Sequence, residues 1–242
     1  SGTEAVMSAV RLARGFTGRD KILMFGGGYH GHSDSVLAST GHSSSSGLLA
    51  AARDNTLLAK YNSLSSVEAL FGEHKGQIAA ILVEPVCGSM GLVKAEPGFL
   101  AGLREIASQN QALLIFDEVI TGFRVAYGGA QALYNIKPDL TCYGKALGGG
   151  MPIGAYGGPR HIMSKLMPEG DVYQAGTFSG NPVTMTGGIQ TLKALADPQL
   201  YNIMEERAAA LFSGLKAVID KHSYPVQLAR EGSMFGIVFS KT

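Results

Sequence analysis

The sequence predicts an α/β fold, a mostly parallel central sheet with helices on both faces, followed by the start of a C-terminal α+β domain. Three observations predict it. Aliphatic runs within 21–25, 78–84 and 112–119 lack the apolar–polar alternation of a half-exposed strand and read as strands buried on both faces. Stretches with helical periodicity separate them, the pattern of a parallel sheet with crossover helices. The chain has 242 residues, 45% of them hydrophobic and only 16% charged, enough for a sizeable core.

The elements follow in order. Residues 3–17 set Val6, Ala9, Val10 and Ala13 on one helical face and Arg11 and Arg14 on another. Residues 21–25 form a short strand running into Gly26-Gly27-Gly28. The Ser/Gly-rich stretch 39–47 is aperiodic and reads as a mobile loop. A short helix is expected over 65–73, a buried strand over 78–84 closed by Pro85, a helix over 97–110 and the next buried strand over 112–119. A long helix over 200–222 carries Met204, Ala208, Leu211, Leu215 and Val218 by threes and fours, with Pro225 as its stop. Residues 232–239 read as a strand of a second domain. The division expected is a ligand-binding large domain over 1–198, with a connecting helix and the start of a small domain over 199–242. The abrupt helix start at Ser1 and the end just past a strand read as the middle of a longer protein.

A net charge of +1 implies no field-driven partner such as nucleic acid, and no apolar run approaches membrane-span length. Cys87 and Cys142 make no disulfide framework, which points to a reducing, cytoplasmic setting.

Lys145 stands in an almost uncharged run, Tyr143-Gly144-Lys145-Ala146-Leu147, with three glycines close behind. An ammonium there is expected to be poorly solvated, which makes the free amine available toward carbonyls. Asp117 closes an apolar strand. A strand-end carboxylate and a later lysine in a Gly-rich loop are what pyridoxal 5'-phosphate needs: a Schiff-base amine and a partner for the pyridine nitrogen. Glu84, Asp117 and Lys145 all fall at or after strand ends, where such sheets bind ligands. Ser1-Gly2-Thr3 at a helix start offers amides and a hydroxyl to a phosphate, and Thr177 is a second candidate. Tyr29, after three glycines, can lay an aromatic face on a ring. Each has a plainer reading: Asp117 as a turn residue, Ser1 as a helix cap, Tyr29 as core, Glu84 as structural, Arg124 as a brace for its own loop. A rival from another class takes His30, His32 and Asp34 as metal ligands of a hydrolase, since HxHxD on an extended strand puts both histidines on one face.

Taken together, Ser1-Gly2-Thr3-Glu4-Ala5, Gly28-Tyr29-His30-Gly31-His32, Glu84-Pro85-Val86, the run from Phe116 through Arg124, Tyr143-Gly144-Lys145 and the run from Gly176 through Pro182 resemble the class III (fold-type I) pyridoxal-phosphate aminotransferases, and within them the glutamate-1-semialdehyde 2,1-aminomutase group. The likeness runs over essentially the whole chain. It implies an aspartate-aminotransferase-like large domain. Lys145 would carry the cofactor and shuttle the proton, with Asp117 on the pyridine nitrogen. Val119 and Tyr29 would pack on opposite ring faces, and Gly2 and Thr3 on the phosphate. Thr177 would reach the phosphate of a neighbouring subunit, so a homodimer is implied. Two positions depart from the aminomutase pattern: His42, in a shortened loop over 40–61, and Ser89, where an asparagine is expected. The loop change points toward ordinary intermolecular transamination, on a β-amino acid, keto acid or carrier-bound substrate.

Overall fold

The computed structural model describes residues 1–37 and 45–240. The first half contains α1 (Gly2–Thr17), β1 (Lys21–Phe25), α2 (Asp34–Leu37), α3 (Ala50–Asp54), β2 (Thr56–Ala59), α4 (Leu64–Glu73), β3 (Ile78–Val83), β4 (Val86–Cys87), β5 (Val93–Lys94), α5 (Phe99–Gln109) and β6 (Leu113–Asp117). There follow α6 (Gly129–Leu133), β7 (Leu140–Gly144), β8 (Gly154–Gly157), α7 (Arg160–Met163), α8 (Pro182–Leu195), α9 (Pro198–His222), β9 (Gln227–Glu231) and β10 (Met234–Val238).

Six strands form one sheet in the order β2-β1-β3-β6-β7-β8. Every neighbouring pair is parallel except β7–β8. The α/β class with a mostly parallel sheet therefore holds. From β1 the chain winds outward to β2 and then back past β1 to β3, so the winding reverses beside β1, where such sheets open a crevice at their carboxyl edge.

Alternation along each strand feeds two cores. Ile22 and Met24 of β1, with Leu113 and Ile115 of β6, pack beneath Val6, Ala9, Val10 and Ala13 of α1. Leu23 and Phe25, with Leu114 and Phe116, meet Val67 and Phe71 of α4 and Leu100, Leu103 and Ala107 of α5 on the other face. Each fully buried Leu, Ile or Phe contributes about 1.5–3 kcal/mol. Helix α1 begins with a capping box between Ser1 and Glu4 and ends at Gly18 in the left-handed region, whose amide donates to Arg14 O (2.8 Å).

Boundaries move for local reasons. The helix expected from 97 starts at Phe99, because Gly98 at φ 85° caps it from outside. The strand expected to reach 119 ends at Asp117, where the chain turns and Gly122 N donates to Glu118 O (2.8 Å). Helix α9 starts two residues earlier than expected, at Pro198, capped by Asp197 Oδ1 accepting from Gln199 N (2.9 Å). It stops at Ser223, in the left-handed region at φ 52°, ahead of Pro225. The strand expected over 232–239 is β10, paired antiparallel with the unforeseen β9. This hairpin rests on the body through Met234 against Val86 and Leu92. The expected 39–47 loop lies mostly within 38–44, outside the described residues, as does His42.

Candidate active site

Strands β1, β3, β6 and β7 release their carboxyl ends on one edge of the sheet, and the candidate residues gather there. Asp117 is the last residue of β6, 5% exposed, its backbone in register with Cys142 of β7. Its Oδ1 accepts from Val119 N (3.0 Å) and its Oδ2 from His30 Nδ1 (2.7 Å). A carboxylate whose two oxygens both face donors is held as an acceptor, ready for one more N–H.

Lys145 follows β7 directly. Gly144 is extended at φ −173°, and Lys145 opens a 3-10 turn, Lys145–Gly148, at φ 41°. A left-handed conformation costs an L residue about 1–2 kcal/mol, and such strain gathers at functional sites. Helix α8 holds the turn from behind: a side chain at Gly187 or Gly188 would stand 3.0 Å from the carbonyl of Gly148 or Leu147. The expected poor solvation of Lys145 is not found. Its side chain is exposed and makes no hydrogen bond or ion pair among the described residues, because the turn lifts it off the sheet edge and its glycine neighbours cover nothing.

The start of α1 meets these strand ends. A methyl group on Gly144 would touch Val119 Cγ1 (3.3 Å) and Gly2 Cα (3.5 Å), so Gly2, Val119 and the residue before Lys145 form one contact. Gly31, at φ 94°, crosses Thr3 so closely that a Cβ would fall 2.8 Å from Thr3 Cα. Thr3 Oγ1 lies 3.3 Å from His32 Nδ1. The amides of Gly2 and Thr3 precede the first intrahelical bond, so an anion at this terminus has donors waiting. Tyr29 is 49% exposed, and its amide donates to Glu84 Oε1 (3.0 Å).

Thr177 does not join this cluster. It lines a separate cleft of about 870 Å³ with Ser1, Met7, Ile153, Phe178 and Met185. The metal triad is split: Gly31 turns the chain, so His30 is buried on Asp117 while His32 is exposed beside Thr3 and Asp34 opens α2. Among the described residues no group of three His, Cys, Asp or Glu could hold a metal ion. Arg124 Nε donates to Ile120 O (2.9 Å), bracing its own loop.

Sequence reasoning missed Glu118 and the partners that His30 and Glu84 find. His30 pairs with Asp117 rather than with a metal. Glu84 is 4% exposed and accepts from Tyr29 N, Gly88 N (3.2 Å), Ser89 Oγ (2.6 Å) and Cys87 Sγ (3.4 Å). Glu118, 1% exposed, accepts from Ala130 N (2.5 Å), Gln131 N (3.0 Å), Gln131 Nε2 (3.2 Å) and Thr121 Oγ1 (2.9 Å). Burial raises its pKa above the usual carboxylate value, against the pull of these bonds. The available signal was a carboxylate placed directly after a fully buried strand, which must find donors.

Known proteins match this arrangement. A protein of Geotalea daltonii named glutamate-1-semialdehyde 2,1-aminomutase is 53% identical over 248 residues, covering all of this chain and 58% of that protein. The solved structure of an omega-transaminase from Sphaerobacter thermophilus superposes with a TM-score of 0.93 at 37% identity, over 100% of this chain and 58% of its own. That of a glutamate-1-semialdehyde-aminomutase from Pseudomonas aeruginosa PAO1 gives 0.86 at 26% identity, over 100% and 56%. The chain thus spans a little over half the length of these relatives. The family described as aminotransferase class-III matches residues 1–242. The chain belongs to the class-III aminotransferases.

Proposed function

We propose that this chain is the cofactor-binding part of a pyridoxal 5'-phosphate-dependent enzyme that carries out the glutamate-1-semialdehyde 2,1-aminomutase reaction, an intramolecular amino transfer giving 5-aminolevulinate. One observation carries it. The donor-locked Asp117 and the strained Lys145 stand at adjacent strand ends in a chain 53% identical over its length to a protein of that name.

The residues fit the cofactor. Asp117 has both oxygens turned to donors and is shaped to receive a pyridine N–H. Gly2 and Thr3 are assigned to the phosphate, with the amides of a helix start to offer it; Val119, packed on Gly2 and Gly144, is assigned to one ring face and the half-exposed Tyr29 to the other. When bound, the cofactor supplies a ring that stores the electron pair left when a proton departs the substrate carbon next to nitrogen. Lys145 Nζ would hold the cofactor covalently and would take and return that proton. Asp117 would face the pyridine nitrogen and favour its protonated form.

Thr177 is assigned to the phosphate of a second copy. It lies on a cleft beside the start of α1 where Phe178 is 80% exposed, which supports a homodimer joined there. Residues 199–242 are assigned to a connecting helix and the start of the small domain. A cytoplasmic location is part of the proposal; no helix among the described residues is long and apolar enough to cross a membrane.

A second reading is intermolecular transamination. The transaminase structure shares 37% identity against 26% for the aminomutase structure, and Ser89 stands where the aminomutase pattern has asparagine. The full-length protein given glutamate 1-semialdehyde alone, with no second amino donor, is expected to release 5-aminolevulinate. Turnover only when a separate donor and keto acid are supplied would replace the mutase reading with the transaminase one.

A further inference from the structure

We propose that Tyr143 is a positioning residue for Lys145: a side-chain clamp, Glu118–Gln131–Tyr143, ties the ends of β6 and β7 together behind the site and so holds Lys145 at a fixed reach from Asp117. The inference rests on the pyridoxal-phosphate reading and deepens it.

Backbone pairing alone does not supply this tie. The final register pair between β6 and β7 is Asp117 with Cys142, followed by one bond from Glu118 N to Cys142 O (2.9 Å). Beyond it Tyr143 and Gly144 pair with Ala155 and Gly154 of β8, and no backbone bond among the described residues joins them to the chain after Glu118. Asp117 and Lys145 thus stand on two strand ends that part just before the lysine.

Side chains close the gap on the face away from α1. Cys142 faces α1, its thiol 3.8 Å from Ala5 O, so the next residue, Tyr143, faces the other side. There Gln131 Nε2 donates one hydrogen to Glu118 Oε1 (3.2 Å) and the other to Tyr143 Oη (2.7 Å). A carboxamide turned the other way would set its oxygen against the carboxylate, so charge fixes its orientation. Gln131 N donates to the same Glu118 oxygen (3.0 Å), which anchors the residue by its backbone as well.

The tyrosine ring is gripped too. Phe123 lies against it with centroids 5.3 Å apart, and a Cβ on Gly122 would fall 2.6 Å from Tyr143 Cδ1. Phe123 holds φ 58°, an outlying conformation for a bulky residue, with Tyr201 of α9 donating to its carbonyl (3.0 Å). Such strain persists only where the surroundings over-determine it. On the site face Val119 and Gly2 press on Gly144. The residues before Lys145 are held by packing in front and by hydrogen bonds behind. Lys145 Nζ has to reach one atom of a ring whose nitrogen lies at Asp117, and a displacement of about 1 Å at such a group costs about 100-fold in rate.

The test uses the full-length protein. Tyr143→Phe removes the hydroxyl and keeps the ring on Phe123, whereas Gln131→Met keeps the volume and removes both N–H groups. Loaded with pyridoxal phosphate, each variant is expected to lower kcat about tenfold with little change in KM. Each should also alter the visible circular dichroism of the bound cofactor, which reports how the ring is held. The double variant should be no worse than either single one, because one clamp is broken once. In the cofactor-free protein, hydrogen–deuterium exchange over 144–149 should quicken about tenfold in both variants while that of α5 stays unchanged. Variants that melt lower yet keep wild-type kcat, dichroism and exchange over 144–149 contradict the clamp and leave Tyr143 a packing residue. Additive losses in the double variant contradict it as well. A folded wild-type protein that takes up no pyridoxal phosphate contradicts the cofactor reading instead, and the exchange measurement then still decides whether the clamp holds the Lys145 turn.

Discussion

Replacing Glu118 by alanine should destabilise the protein by about 3 kcal/mol. Strand β6 ends in two adjacent carboxylates that turn to opposite sides: Asp117 to His30 and the candidate site, Glu118 into the 121–131 segment. Glu118→Ala strands four donors, those of Thr121 and Ala130 buried and the two of Gln131 part-buried. The Thr121 hydroxyl and the Gln131 side chain can rotate toward other acceptors. The amides of Ala130 and Gln131 cannot, because they belong to the first turn of α6. Each orphaned buried donor costs about 1–3 kcal/mol, or about 2–6 kcal/mol for the pair. Against that stands the desolvation of the carboxylate, visible in its raised pKa, which the substitution removes. The two effects leave a loss near the lower middle of the range. For a domain of this size it is a fall of about 6–12 °C in Tm. Urea and thermal melts followed by far-UV circular dichroism measure it, and Glu118→Gln, which keeps one acceptor oxygen, should fall between. A loss under about 1 kcal/mol for the alanine variant would refute the claim that this carboxylate organises the segment.

Other expected outcomes follow from the same geometry. Gly187→Val drives a side chain into the carbonyl of Gly148. It should cost about 1–3 kcal/mol by overpacking and reduce kcat through the displaced Lys145 turn, read by melts and steady-state kinetics. Gly31→Ala forces a methyl group onto Thr3 at φ 94° and should weaken cofactor binding about tenfold (1.4 kcal/mol), measured by fluorescence titration. The His30–Asp117 pair should contribute stability that is complete below the unfolded imidazole value of about 6.5 and is lost as pH rises through the raised folded value. The stability gap between wild type and His30→Phe should therefore narrow as pH rises above about 6.5 in denaturant melts.

Much of the frame could be read locally. The strands over 21–25, 78–83 and 113–117 announce themselves as aliphatic runs, and α1, α4, α5 and α9 as periodic ones. What stayed hidden lacks a local signature. Helix α8 carries Gly187-Gly188 at the point where it must approach the Lys145 turn, so the residues that make the contact possible erase its helical pattern. Strand β8 is bounded by Gly154 and Gly157, and β2 is a half-buried edge. The placement of Asp117 at the end of one strand and of Lys145 just after the next was legible. Their partners were not, since His30 meets Asp117 across 87 residues and Glu84 meets Tyr29 across 55. Only folding supplies those contacts, and the HxHxD spacing pointed away from them.

The central claim is that Lys145 carries pyridoxal phosphate. The full-length protein should be loaded with the cofactor, reduced with borohydride, digested and mapped by mass spectrometry. The account predicts a phosphopyridoxyl group on the peptide containing Lys145, and its loss in Lys145→Ala together with turnover. A label on another lysine, or none on a folded and loaded protein, would contradict it.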